Sequence, residues 1–509
     1  MVEKIMRTGV LIVVISLAVA CLAGKEPVTD RVREPVVSDK FYPASPGCLR
    51  ASIERFMQEA VPVQVKEPVA VIVPHAGYIF SGQVCADGYR QVSGRRYETV
   101  VILGANHSDR RFEKISVYSG SAFRTPLGVA EVDRAMAAKI VEADRDCVFD
   151  DSVHEREHSV EVQVPFIQVL LPGAKVLPVV VGSTDVGLCR RFGEVLAGVV
   201  KGSRTLIVAS SDLSHYPEAK DAVRVDAETL AAVVGLDAGV LHEKVGTLMK
   251  SGVENLVTCA CGEGPIMAAM EAAKALGARG GAVVSYHHSG DIPIGEGKGV
   301  VGYAAVALGE KRALKAREKT PDASAPLFLF PSDKKTLLAF ARKSIARFME
   351  TRTLPLARGF DPRLSTPRGV FVTLMKRGEL RGCIGHVPPD TPLVNLVGAM
   401  AVKAAFGDPR FEPLGEEELD TVEIEISLLT KPKDVGGLGD VVIGRDGVIL
   451  QKEGRAALFL PQVAPQQGWG REETLEHLCL KAGLEKWCWK EGAKLSTFQA
   501  VVFGEKGFR

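Results

Sequence analysis

The sequence predicts two domains in series, an N-terminal α/β domain on a largely parallel central sheet and a C-terminal α+β domain. Three observations carry this. The chain has 509 residues, beyond the roughly 250–300 at which a single hydrophobic core stops growing. Val- and Ile-rich runs alternate with helical stretches up to about residue 309, the pattern of a layered α/β unit. A charged and then Pro/Ser/Ala-rich stretch follows, and beyond it the strands and helices group differently.

The N-terminus comes first in the chain and differs in kind. Lys4 and Arg7 precede an apolar run over 9–20, which ends in Ala18-Val19-Ala20 before Cys21. This is the layout of a secretory signal peptide, and small residues before a cysteine also resemble a lipoprotein processing site. The run is shorter than the about 20 residues a membrane span needs. Residues 1–30 are therefore expected to export the chain or anchor it to a membrane, with lipid attachment at Cys21 and no other membrane contact. Without a functional signal the chain is expected to be cytoplasmic.

Buried strands are expected at 69–73, 99–103, 176–181, 205–209, 282–285 and 300–308, and helices at 132–143, 221–234 and 264–276, because continuous β-branched runs suit a sheet covered on both faces. The first domain is placed at 31–309 and a linker at 310–330. The second domain, 331–509, should open with a helix capped by Ser332 and running to about Arg352. Strands at 369–376, 421–429, 447–451 and 496–503 and a helix near 472–481 complete it. With a net charge of +1 nothing points to a nucleic-acid or acidic-surface partner, and none is expected. The 10 cysteines are scattered without a CxxC and read as small buried hydrophobes rather than a disulfide framework.

Three histidines lie just past the C-terminal ends of expected strands. They are His75 in Val73-Pro74-His75-Ala76-Gly77-Tyr78, His107 in Gly104-Ala105-Asn106-His107, and His215 in Ser211-Asp212-Leu213-Ser214-His215. In open α/β sheets the loops at that edge converge on one crevice. One loop histidine is usually solvated or structural; three on one edge point to a site. Imidazoles suit Fe, Zn or Cu, and two of them with one anionic ligand leave open positions for substrate. A further segment, Cys259-Ala260-Cys261-Gly262-Glu263-Gly264-Pro265, precedes a helix and could supply a thiolate or carboxylate. His154-Glu155-Arg156-Glu157-His158 matches the zinc-protease pattern, which needs one continuous helix. Acidic residues before it and Pro165 after it argue against that helix.

These segments resemble the Memo family: Pro74 to Tyr78, Leu103 to His107, Glu157-His158-Ser159-Val160-Glu161, Ser210 to His215 and Cys261 to Pro265, in the family's order, with Phe41-Tyr42-Pro43 and Gly302-Tyr303-Ala304-Ala305 at its ends. The resemblance implies a fold like the catalytic subunit of class III extradiol dioxygenases, which use non-haem Fe(II). It implies His75, His107 and Cys261 as metal ligands, His215 as an acid/base group, and Asp212 and His158 beside it. One departure is Gly264, where animal members carry histidine. It leaves Glu263 as a group that could replace or assist Cys261.

In the second domain, Leu380-Arg381-Gly382-Cys383-Ile384-Gly385-His386 places a cysteine between glycines and near Arg381. A basic neighbour lowers a thiol's pKa, which would make Cys383 a catalytic candidate. A turn with a packed cysteine is the alternative. With Asp408-Pro409-Arg410-Phe411, Glu423 to Ser427, Gly447 to Leu450 and Phe459-Leu460-Pro461-Gln462, the segment resembles the AMMECR family. Fusion of the two resembles the AmmeMemoRadiSam set, whose radical-SAM member would be a separate chain, since no CxxxCxxC occurs here. The expected role is redox or radical-linked modification of a small molecule or protein, with Fe(II) or Cu and a small-molecule or peptide substrate as partner. Its alternatives are an extradiol-type dioxygenase and a non-enzymatic metal- or peptide-binding protein.

Overall fold

The computed structural model describes residues 30–292, 299–311, 329–389 and 391–508. Residues 1–29 of the expected signal segment, with Cys21, and 312–328 of the expected linker lie outside them. No helix among the described residues is long and apolar enough to cross a membrane.

The first domain is built on an eight-stranded sheet. Its strands are Val65–Val73 (β1), Thr99–Ala105 (β2), Ile115–Val117 (β3), Cys147–Val148 (β4), Lys175–Val181 (β5), Thr205–Ser210 (β6), Gly281–His288 (β7) and Gly302–Lys311 (β8). Their order is β7-β8-β1-β6-β2-β5-β3-β4. The central four, β1, β6, β2 and β5, are parallel, and β8 inserts antiparallel between β7 and β1. All seven residues of β2 are buried. Val101 and Leu103 join one core cluster, Val100 and Ile102 another, so both sheet faces are covered, as the continuous apolar runs require.

Helices Pro46–Gln58 (α1) and Tyr78–Arg90 (α2) cover one face, and Val186–Val200 (α3) and Glu263–Ala275 (α4) the other. Every residue of α4 from Glu263 to Ala273 is buried, the mark of a helix packed on all sides. Gly193 lets α3 approach, since a Cβ there would stand 2.7 Å from the Ala268 carbonyl oxygen.

The second domain has two antiparallel sheets. Strands Val370–Lys376 (β9), Glu379–His386 (β10), Val422–Leu429 (β11), Lys433–Val435 (β12), Gly447–Lys452 (β13), Arg455–Phe459 (β14), Lys494–Phe498 (β15) and Ala500–Gly504 (β16) form sheets of order β10-β9-β11-β16 and β12-β15-β13-β14. Helices Pro331–Thr351 (α5) and Leu393–Phe406 (α6) bury the alternating face Val370, Val372 and Leu374 of β9, while Arg471–Lys481 (α7) covers the second sheet.

Four sequence expectations are corrected. The first helix starts at Pro331, with Phe330 rather than Ser332 at its cap. The expected last strand is two strands in different sheets, split at Gln499, whose backbone exchanges hydrogen bonds with Thr430. The Cys383 segment is not a turn but β10, paired along its length with β9. Cys479 and Cys488 are not free hydrophobic thiols; they form a disulfide.

The domains touch through α1 and α5, and through the apolar cluster Ile292, Leu354, Leu356 and Val402, against which Phe80 packs.

Candidate functional site

Strand register sets the site. Val73 lies beside Ser210, and Leu103 beside Ala209, so the loops carrying His75, His107 and Asp212 leave the sheet at one level. The Ser211 amide donates to the Val73 carbonyl. Cys261 arrives from the loop before α4, fixed because the Gly262 amide donates to Ser211 Oγ at 2.9 Å.

His75, His107 and Cys261 come together, each offering a ligand atom within 4.8 Å of the others. Cys261 Sγ is 3.2 Å from His75 Nε2. The two rings are held by their other nitrogen: His75 Nδ1 lies 3.1 Å from Ser210 Oγ, and His107 Nδ1 lies 2.9 Å from Glu157 Oε1. Anchoring Nδ1 leaves Nε2 facing the cluster, the arrangement that orients histidine toward a metal. The donor set fits a cation that accepts imidazole and thiolate.

His158 completes a second triad with His107 and Glu157. Its ring stacks on His107 at 4.8 Å, and the Phe41 ring meets its edge at 4.9 Å. His215 and Asp212 form a third group with Cys261. His215 Nε2 is buried and has no hydrogen-bond partner. Asp212 Oδ1 accepts from the amides of His75 (2.8 Å) and Ala76 (3.2 Å). Much of its role is therefore to hold the His75 loop.

Burial sets the protonation pattern. It pushes the His75 and His158 pKa values down, and lowers His215 to about 4, assisted by the His107 charge. It raises Asp212 to about 6 against the two amide bonds. Burial opposes charge on Glu157 as well, but its bond and charge contact with His107 prevail and hold it at about 2. The same contact outweighs burial at His107, whose pKa rises. The Cys261 thiol is pushed up by burial; its position before a helix does not offset this, and a bound cation would be what deprotonates it.

Glu157 was not singled out as a site residue in the sequence. The signal was its place next to His158, inside a pattern read for proteases. That pattern is not helical here: a three-residue turn, Asp151–Val153, precedes it, and His154 points to Ser116 Oγ at 3.1 Å, away from His158. Glu263 does not reach the cluster either. Its Oε1 lies 2.8 Å from His242 Nδ1. The glycine at 264 has a steric cause, since a Cβ would stand 2.2 Å from the Ser183 carbonyl oxygen.

Cys383 stands apart, in the second domain. Burial raises its thiol pKa. Arg381, expected to favour the thiolate, spends its guanidinium on Glu418 at 2.9 Å. The cations that favour Cys383 ionisation are instead Arg410, already paired with Asp408 at 2.7 Å, and then Lys481. Burial outweighs the Thr373 hydrogen bond and both cations, so the thiol is favoured over the thiolate.

The first domain is an α/β protein whose strand ends gather histidine, thiol and carboxylate groups able to hold a metal ion. Residues 33–307 match the model for "Memo-like protein", and the chain belongs to the Memo family. Residues 338–503 match the model for AMMECR1. A MEMO1 family protein of Aquifex aeolicus is 38% identical over 265 residues, 51% of this chain and 93% of that protein. One from Nitrosopumilus maritimus is 34% identical, over 54% of this chain and 98% of its own length. An uncharacterized protein of Pyrococcus horikoshii, known by crystal structure, is 37% identical over 34% of this chain and 90% of its own, with TM-score 0.33.

Proposed function

We propose that this chain is a metal-dependent Memo–AMMECR fusion that takes part in redox or radical-linked modification of a small molecule or protein, with His75, His107 and Cys261 as ligands. The observation that carries the reading is the convergence of Cys261 Sγ on His75 Nε2 at 3.2 Å, with both histidines anchored through Nδ1. Imidazole and thiolate together suit Fe(II) or Cu. Such an ion, when bound, supplies one-electron chemistry and Lewis acidity.

The chain's own residues do the rest. Glu157 and Ser210 orient the ligand rings. Asp212 holds the His75 loop by its amides. His215, neutral above about pH 4 and with Nε2 unshared, accepts a proton from a substrate group brought beside it. Phe41 packs against the His158 ring beside the cluster.

Metal analysis of anaerobically purified full-length protein tests this. About one Fe or Cu per chain is expected for the wild type, and loss in His75→Ala, His107→Ala and Cys261→Ser. Unchanged content in all three would refute it. Oxygen uptake on adding a catechol would favour extradiol cleavage instead. We also propose export, supported by the N-terminal pattern and by the Cys479–Cys488 disulfide, a bond that persists mainly in oxidising compartments. Recovery of the intact chain only in the soluble cytoplasmic fraction would overturn that part.

A further inference from the structure

We propose that the face of the first domain formed by α1, α2 and the turn at Ser289–Asp291 is a specific docking surface for the second domain, and that the complex holds without the connecting segment. The two faces are complementary in charge. The first domain offers Glu59, Asp87 and Asp291; the second offers Lys343, Arg347 and Arg358.

Arg358 grips Asp87 with both terminal nitrogens, Nη1 to Oδ1 at 3.0 Å and Nη2 to Oδ2 at 2.5 Å. The same Nη1 reaches the Glu59 carbonyl at 3.3 Å. The Asp87 side chain has no solvent exposure. Arg347 is 2% exposed; it pairs with Glu59 and lies over the Phe56 ring, 5.1 Å from its centroid. Lys343 meets the other Glu59 oxygen at 2.9 Å. Ser52 Oγ donates to the Thr351 carbonyl at the end of α5, at 2.9 Å.

Beside these pairs lies the dry patch of Ile292, Leu354, Leu356 and Val402. Asn395, in the first turn of α6, reaches Asp291 at 3.4 Å.

Two arguments make this a resident complex rather than a tethered encounter. Bidentate guanidinium–carboxylate pairs demand a fixed geometry. Arg347 and Asp87 are buried together with their cross-domain partners, so a domain that swung free would break both ion pairs and expose the apolar patch to water. The seat also has a location. Asp291 follows β7, whose end lies on the same sheet edge as the histidines, and α2 starts at Tyr78, three residues after His75. The second domain is thereby fixed at the rim of the site. The inference does not depend on metal.

The test places a specific protease site within 312–328 of the full chain, cuts it, and passes the product over a sizing column at about 1 μM. Wild-type halves are expected to co-elute at the mass of the intact chain. Arg358→Asp should separate them, weakening association at least about 100-fold by burying two like charges. Arg358→Gln should weaken it less. Combining Asp87→Arg with Arg358→Asp should restore co-elution, a result that mere misfolding of either single variant would not give. Separation of the wild-type halves, or co-elution of the Arg358→Asp and Arg358→Gln halves as tight as wild type, overturns the proposal.

Discussion

Cys261 and Cys383 look alike in the sequence, each followed or preceded by a glycine with a second glycine close by, yet the fold places them in opposite settings. Cys261 sits in a loop at the strand ends, where four histidines and two carboxylates converge. Cys383 sits within β10, opposite Thr373, whose Oγ1 donates to its sulfur at 3.3 Å. Of its nearby charges, Arg410 and Asp408 pair with each other, and Lys481 donates to the Leu458 carbonyl. The difference teaches that a reactive-looking cysteine is defined by what the topology brings from afar rather than by its sequence neighbours. His75 and Cys261 are 186 residues apart; Arg381 is two residues from Cys383 and is engaged elsewhere.

The sharpest way to break this comparison is metal content. Cys261→Ser should lose the metal and Cys383→Ser should keep it all; equal loss in both would remove the distinction. Next comes Glu157→Gln, which leaves the ligands but takes the charge from behind His107. Metal affinity should fall about 10- to 100-fold, measured by chelator competition, and an unchanged affinity would return Glu157 to a purely structural role.

For the second domain, Gly382→Ala should destabilise by about 1–3 kcal/mol through overpacking, because a Cβ there meets the Ala404 carbonyl oxygen at 2.1 Å. Denaturant midpoints check this, and a neutral result would mean that β10 is not pressed against α6. Iodoacetamide at neutral pH should label Cys383 slowly, since burial raises its pKa. Cys479 and Cys488 should label only after reduction. Rapid labelling of Cys383 by peptide mapping would reinstate it as a nucleophile.

The smallest effect concerns acid. Bonds from Arg381 and then Lys376 hold Glu418 at about 2, below its ordinary 4.5. A depressed carboxylate contributes stability above its unfolded pKa and loses it as pH falls through the folded one. Wild type should therefore lose stability between about pH 4.5 and 2 relative to Glu418→Gln, and parallel curves would exclude the pair as a contributor.

The central strands of the first domain were legible because β-branched runs are long and unbroken. The convergence of His75, His107 and His215 was legible because strand ends share an edge, and Cys261 because its segment precedes a helix; His158 and Asp212 came with the family resemblance. Glu157 was not, since its role depends on a loop folding back onto His107. The placement of Glu263 depended on His242, 21 residues earlier. β10 was hidden by its two glycines, which favour a turn locally but here admit the α6 backbone at Gly382 and the Phe371 ring at Gly385. The disulfide needed the fold to bring α7 and Cys488 together.

The loop before α4 has one further consequence. A side chain at 262 would collide with Ser211, with a Cβ 2.6 Å from its Cβ, and one at 264 would collide with the Ser183 carbonyl. Glu263 is turned to His242. Within 261–264 only position 261 can present a donor to the histidines. The hardness of the ligand set, and with it the choice between a soft and a hard cation, is thus written in a single letter of the sequence. Aspartate at that position would put a carboxylate in place of the thiolate beside the two histidines.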